Sequence, residues 1–210
     1  MCCVRPRRNK VKIGFFGGAF DPFHLGHLEM AKAAWDQLKL DRILLVPTYS
    51  PAHKAKSQFS YEDRIHMLEQ ATKHLPWLEV SRLESELPQP SFTYRSLVSL
   101  HDSYKAQRTP LELTLIIGGD SFQSFKRWHE WQKIERLCKI AVFPRQNAEK
   151  EQLSAQEYQL DTDVIWLETP GWPYSSTAIR DVLKDQGCLE DMVPIAVSEW
   201  IKEHQQLSKN

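Results

Sequence analysis

The sequence predicts an α/β fold, a doubly wound parallel sheet with helices packed on both of its faces. Three observations carry that prediction. Short apolar runs without polar alternation recur along the chain, as strands covered on both faces require. Longer segments with helical hydrophobic spacing lie between them, and such alternation is the pattern of a parallel sheet. After the first run come two glycines, a turn and a helix, and ligands of such sheets bind beyond the carboxyl ends of the strands.

The elements follow in order. "VKIGFFG" (11–17) is the first strand. Gly17 and Gly18 can take backbone angles closed to other residues and offer bare amides to an anion. Asp21-Pro22 reads as a turn, and a helix is expected over 25–38. "RILLVP" (42–47) is the second strand, followed by amphipathic segments at 61–74 and 93–101. "LELTLIIGG" (111–119) is the third strand, and a helix is expected over 122–136. "KIAVFP" (139–144) and "DVIWLE" (163–168) complete the sheet, and helices at 176–184 and 193–203 close the chain. No repeat, low-complexity tract or linker appears. The expected organisation is a basic, disordered tail over 1–10 and one domain over 11–210.

Composition bounds the function. The 210 residues carry 27 Lys+Arg and 27 Asp+Glu, so no overall field favours nucleic acid. Apolar residues make up 41% and aromatics 10%, enough for a packed core rather than disorder. The four cysteines, Cys2, Cys3, Cys138 and Cys188, form no CxxC pair, and no His cluster has zinc spacing. They read as reduced thiols of a cytoplasmic protein, two of them buried. "MCCVRPRRNKVK" lacks the apolar stretch of a secretory signal. A lipidated Cys2 or Cys3 is the alternative to a frayed basic tail there. No run approaches the roughly 18 apolar residues of a membrane span.

The chemistry concentrates in two places. In "FFGGAFDPFHLGHLEMAKAA" (15–34), His24 and His27 stand at i and i+3, at or just before the first turn of a helix. A helix start carries orphan N–H groups and partial positive charge, which favours phosphate, and two imidazoles on one face add donors. Gly26 between them leaves room for close approach. In "YSSTAIR" (174–180), Ser175, Ser176 and Thr177 make a hydroxyl-rich helix start, where one can cap and the others can meet an anion. Arg180 follows one turn later, and its guanidinium suits phosphate oxygens.

The G-G-x-F-D-P-x-H-x-G-H string closely resembles the signature of the HxGH nucleotidyltransferases, a superfamily with a Rossmann-like fold. Its members transfer a nucleotidyl group from a nucleoside triphosphate and release pyrophosphate. The adenylyl-transferring branch carries a Ser-Ser-Thr-x-Ile/Val-Arg segment similar to 175–180, and its cytidylyl relatives carry a different arginine-threonine pattern. Further segments resemble the bacterial nicotinate mononucleotide adenylyltransferases: "SPAHKAKSQFSYEDRIHMLEQA" (50–71), "PSFTYRSLVSL" (90–100), "LIIGGDSFQSFKRWHEWQKI" (115–134), "VFPR" ending at Arg145, and "VPIAVSEWIKEH" (193–204). The resemblance runs over about 11–204, nearly the whole chain.

It implies that AMP moves from ATP to nicotinate mononucleotide, giving nicotinate adenine dinucleotide and pyrophosphate. His24, His27 and Arg180 would be catalytic, with Gly17, Gly18, Phe20, Ser175, Ser176 and Thr177 completing an ATP cradle. His53, Lys54, Phe92, Thr93, Asp120, Trp128 and Arg145 would bind the acceptor. Read as residues, several of these keep two roles. Asp120 either accepts from a ribose hydroxyl or caps the 122–136 helix. Trp128 and Trp131, i and i+3 on that helix, are either core or a stacking surface for a pyridine ring. His53 and Lys54 either reach phosphates or are solvated. Magnesium would arrive with ATP, and no metal-ligand residue is expected. The partners would be small molecules, with no nucleic acid or membrane, and a homo-oligomer is compatible with all of this.

The chain departs from the family at Ala19 (usually Thr or Ser), Ala52 (Pro), Phe92 (Tyr), Tyr174 (aliphatic) and Gln146 (Pro). None of these removes an imidazole or Arg180. The competing expectations are an adenylyltransferase for nicotinamide mononucleotide or phosphopantetheine, and a nucleotide sensor without turnover. His24→Ala is expected to cut turnover with little loss of stability.

Overall fold

The computed structural model describes residues 10–50, 57–144, 160–168, 175–185 and 187–207. Among these, six strands form one all-parallel sheet: β1 Val11–Gly18, β2 Arg42–Pro47, β3 Leu78–Val80, β4 Leu111–Gly118, β5 Lys139–Phe143 and β6 Val164–Trp166. Their spatial order is β3-β2-β1-β4-β5-β6. The helices are α1 Leu25–Leu38, α2 Tyr61–Thr72, α3 Thr93–Ala106, α4 Gly119–Gln123, α5 Trp131–Leu137, α6 Ser176–Lys184 and α7 Ile195–Leu207.

The apolar runs are strands because both of their faces are covered. Ile13, Phe15, Leu44, Val46, Leu115 and Ile140 pack on one face with Leu97 and Leu100 of α3, Phe122 of α4 and Ile134 of α5. Phe16, Ile43, Leu45, Ile116 and Ala141 pack on the other with Ala31 and Ala34 of α1 and Leu68 of α2. Successive strand residues thus feed alternate cores, and both faces are covered. A third cluster joins Met67 of α2 to Ile179 and Leu183 of α6 and Val197 and Ile201 of α7.

Two elements differ from the sequence expectation. β3 was not expected: three residues long, with Glu79 exposed, it is too brief for a periodic signal. The helix expected over 122–136 is broken into α4, a 3-10 turn at Phe125–Arg127, and α5, with Glu130 in the left-handed region at φ 57°. In one continuous helix Ile134 would point about a third of a turn away from Phe122. The break lets Phe122, Phe125 and Ile134 enter the same core. Of the thiols, Cys138 is buried, and burial pushes it up to about 12. Cys188 is exposed.

The sheet order places the site. From β1 the chain winds outward through β2 to β3, and from β4 it winds the other way to β6. β1 and β4 are neighbours, with Phe16 opposite Ile116. Their carboxyl ends, Gly17-Gly18 and Ile117-Gly118, therefore flank the crevice where the winding reverses, the usual ligand position in such sheets. Among the described residues no helix is long and apolar enough to cross a membrane.

Candidate active site

The corner after β1 is built differently from the expectation. Gly17 and Gly18 continue the strand, and neither takes a left-handed angle. Phe20 takes it instead, at φ 49°. What excludes a side chain at the two glycines is space. A Cβ on Gly17 would lie 3.0 Å from the Phe15 ring, and one on Gly18 would lie 3.2 Å from the Phe20 ring. The bare strand end is kept open by packing rather than by backbone angle. The turn at Asp21-Pro22 is present.

His24 is the N-cap of α1 and His27 is its third residue, and each ring caps the other's backbone. The His27 amide donates to His24 Nδ1 and the His24 amide donates to His27 Nδ1, both at 3.3 Å. The rings stack with centroids 3.6 Å apart, and Phe23 stacks on the far face of His27 at 5.6 Å. This is a capping box made of two imidazoles. An Nδ1 that accepts from an amide carries no proton, so the proton of each neutral ring sits on Nε2. Among the described residues neither Nε2 has a partner, which leaves two N–H donors side by side. Burial holds His24 down to about 4, and burial together with His24 holds His27 well below the ordinary range. Both are neutral donors at pH 7.

The helix start is less open to an anion than the sequence suggested. The Leu25 amide donates to Met192 O at 3.0 Å, and the His27 amide is engaged by His24. The imidazoles, more than the first-turn amides, are the donors on offer.

The second motif docks onto the first across more than 150 residues of chain. Ser175 caps α6, its Oγ accepting from the Ala178 amide at 3.2 Å. Ser176 Oγ donates to Pro22 O at 3.2 Å, and Arg180 Nη1 donates to Asp21 O at 2.8 Å, with the Asp21 carboxylate 3.8 Å away. Thr177 Oγ1 accepts from Arg180 Nη2 at 3.0 Å. The Asp21-Pro22 turn is thus clamped to α6, which sets Arg180 beside the histidine corner. Of the three hydroxyls, Ser175 and Ser176 do structural work, and exposed Thr177 orients the guanidinium.

The acceptor candidates gather across the sheet. Phe92 is the N-cap residue of α3 and makes no side-chain cap bond. Its ring stacks on His129 at 4.2 Å, with the Arg95 guanidinium 5.0 Å from its centroid. Thr93 opens α3. Trp128 is in the turn between the 3-10 segment and α5, tilted against Phe125 at 5.5 Å, and Trp131 packs edge-on against Phe125 at 6.3 Å. The two tryptophans therefore do not share a helix face as expected. Asp120 lies in the first turn of α4, exposed, beside the switch point; the N-cap position belongs to Gly118, so the capping role does not hold. His53, Lys54 and Arg145 lie outside the described residues.

Sequence reasoning missed Arg64, the Met192 carbonyl and the ring of His129, of which only the backbone amide was expected to take part. Arg64 is almost wholly buried and donates to Ala19 O and Thr48 O. Its signal was available: an arginine next to Ile65, Met67 and Leu68 on the inner face of α2. His129 and the Met192 carbonyl had no such signal.

Residues 15–182 match the cytidylyltransferase-like family. The chain is 33% identical over 198 residues to a protein of Dehalococcoides mccartyi named as a probable nicotinate-nucleotide adenylyltransferase, covering 92% of this chain and 96% of the other. A protein of the same name from Neisseria meningitidis serogroup B is 33% identical over 199 residues, again 92% and 96%. Among solved structures, the nicotinic acid mononucleotide adenylyltransferase of Plasmodium falciparum complexed with NaAD superposes with a TM-score of 0.77. It is 15% identical and covers 96% of this chain and 99% of its own. The same enzyme complexed with APC gives 0.75 over 95% and 98%. At that identity the structures speak for the fold alone.

Proposed function

The chain belongs to the cytidylyltransferase-like family and, within it, to the nicotinate-nucleotide adenylyltransferases, and on that premise we propose that it joins ATP to nicotinate mononucleotide, giving nicotinate adenine dinucleotide and pyrophosphate for NAD biosynthesis. The observation that carries the reading is the docking of α6 on the Asp21-Pro22 turn. It brings the imidazole pair and Arg180, motifs at opposite ends of the chain, to one crevice at the switch point.

The 5′-phosphate of the mononucleotide attacks the α-phosphorus of ATP in line. One Pα–O bond forms, the bond to the bridging oxygen breaks, and pyrophosphate leaves with that electron pair. The attacking oxygen is already an anion, so no general base is required. Catalysis is positioning and stabilisation of developing charge. The Nε2–H groups of His24 and His27 donate to phosphate oxygens, and being neutral they do so without titrating near pH 7. Arg180 contributes a fixed positive charge beside them, and the open end of β1 at Gly17-Gly18 admits the phosphates past Phe20. Thr93, Phe92 and Trp128 receive the pyridine ring, and Asp120 accepts from a ribose hydroxyl. His53, Lys54 and Arg145 remain assigned to the acceptor by family resemblance.

A divalent ion accompanies ATP in this family, and we take it to be magnesium. Among the described residues no group of three or more His, Cys, Asp or Glu is placed to hold a metal. Asp21, the carboxylate next to the corner, accepts from the amides of Gln58 and Phe59 with its two oxygens. These residues fit an ion held by the triphosphate and water, which neutralises phosphate charge.

The test is pyrophosphate release with ATP and magnesium, offering nicotinate mononucleotide, nicotinamide mononucleotide and phosphopantetheine in parallel and identifying products by mass. The fastest turnover is expected on nicotinate mononucleotide. A preference for another acceptor would overturn the pocket assigned to Phe92, Thr93 and Trp128. Silence on all three, with ATP still bound, would overturn the enzymatic reading.

A further inference from the structure

We propose that Arg64 is a positioning residue: its buried guanidinium, forked onto the Ala19 and Thr48 carbonyls, holds the nucleotide corner and the acceptor-side loops in one fixed relation. The proposal rests on the adenylyltransfer reading above.

Three charged side chains lie inside the protein at this place. Arg64 is 2% exposed, Asp21 5% and Glu84 5%. Burying charges is expensive, and an apolar group of the same volume would serve a purely structural core as well or better. Where the three groups point is therefore informative. None is directed at the interior of a helix or strand. Arg64 Nη1 donates to Ala19 O at 2.7 Å, between Gly18 and Phe20, and Nη2 donates to Thr48 O at 2.9 Å, just past the end of β2. The Thr48 amide in turn donates to Gly18 O at 2.9 Å. Asp21 accepts from the Gln58 and Phe59 amides, both at 2.9 Å. Glu84 Oε2 accepts from the Tyr49 amide at 3.1 Å. Apart from the Thr48–Gly18 bond, which ends on the last residue of β1, every one of these bonds ends on loop backbone.

The chain of contacts reaches both halves of the site. On the ATP side Asp21 is bound to Arg180 through its carbonyl at 2.8 Å. On the acceptor side, the Ser50 amide donates to Ser91 Oγ at 3.1 Å and the Ser91 amide donates to Ser50 O at 2.9 Å, one residue before Phe92. Arg64 lies at the centre, where burial weakens its hold on its proton and the negative charges of Asp21 and Glu84 oppose that effect. A planar fork suits this position because it reaches two carbonyls at once, which an ammonium cannot do in fixed geometry. In-line transfer needs the acceptor phosphate and the α-phosphorus aligned to well under an ångström. A misplacement of about 1 Å costs about 10²-fold in rate.

Arg64→Lys keeps the charge and loses the fork; Arg64→Met loses both. For Arg64→Lys the expected result is a kcat about 10-fold lower, with KM for ATP and acceptor within about threefold and an unchanged melting point. For Arg64→Met it is a kcat about 10²-fold lower together with a lower melting point. Hydrogen exchange gives a readout independent of substrate: the Tyr49, Gln58 and Phe59 amides should exchange faster in Arg64→Lys, while those of β4 keep their protection. Wild-type kcat in Arg64→Lys, a loss confined to KM for one substrate, or unchanged exchange at those three amides would overturn the proposal. A wild-type enzyme silent on every acceptor would instead overturn the adenylyltransfer reading, and the exchange measurement would then decide the role of Arg64 alone.

Discussion

Replacing His24 by Asn tests the claim that His24 and His27, proposed here to act in catalysis, are buried neutral donors. Asn still caps a helix, so the fold keeps its N-cap while losing the ring that titrates. His24 lies at about 4 in the folded protein against an ordinary 6.5. Between those values the unfolded chain binds more protons than the folded one, so stability rises with pH across the window. The contribution is complete above 6.5 and is lost as pH falls toward 4. At about 1.4 kcal/mol for each tenfold in proton affinity, the whole effect is about 3 kcal/mol, and about 2 kcal/mol of it is gone by pH 5. Burial and His24 lower His27 too, so the wild-type loss exceeds that of His24 alone. The assay is urea unfolding of both proteins at pH 7.5 and pH 5. His24→Asn should lose at least about 2 kcal/mol less than wild type over that interval, since removing His24 also relieves part of the His27 shift while the remaining groups cancel. Parallel losses would refute the reasoning, because a ring that titrates normally in the fold is not held neutral by the capping box.

Four further outcomes are expected. His27→Ala removes one Nε2–H donor and should lower kcat by about 10²–10³, read by pyrophosphate release. For His24→Ala the small stability cost expected from sequence is revised, since the N-cap is lost as well: about 1 kcal/mol by urea unfolding. Ser176→Ala deletes the bond to Pro22 O and should cost about 1 kcal/mol in stability and raise KM for ATP by loosening Arg180, with wild-type KM counting against the clamp. Phe92→Ala breaks the stack on His129 and should raise KM for the mononucleotide while leaving ATP binding as it is, which calorimetry can separate from turnover.

Much of this protein is written in local sequence. The strands at 11–18, 42–47 and 111–118 are legible because a strand covered on both faces carries a short, nearly continuous run of apolar residues, here rich in Val, Ile, Leu and Phe. The start of α1, the Asp21-Pro22 turn and the Ser175 cap are legible because capping and turn chemistry act within three or four residues of chain. The spacing of His24 and His27 and the presence of Arg180 likewise announce phosphate chemistry.

What only the tertiary structure decided depends on groups far apart in sequence. The break at Glu130 follows from the shared core of Phe122, Phe125 and Ile134, which no local window contains. Gly17 and Gly18 turned out to serve packing against Phe15 and Phe20 rather than a left-handed turn. The tautomer of the two histidines is set by a reciprocal bond whose geometry needs both rings in place. The clamp of α6 on Pro22 and the burial of Arg64 against the Ala19 and Thr48 carbonyls join segments separated by tens to over a hundred residues. Sequence specifies which groups are available and what each can do within a turn of chain. Folding decides which of them lose water together, and the loss of water turns an imidazole into a neutral donor and an arginine into a strut.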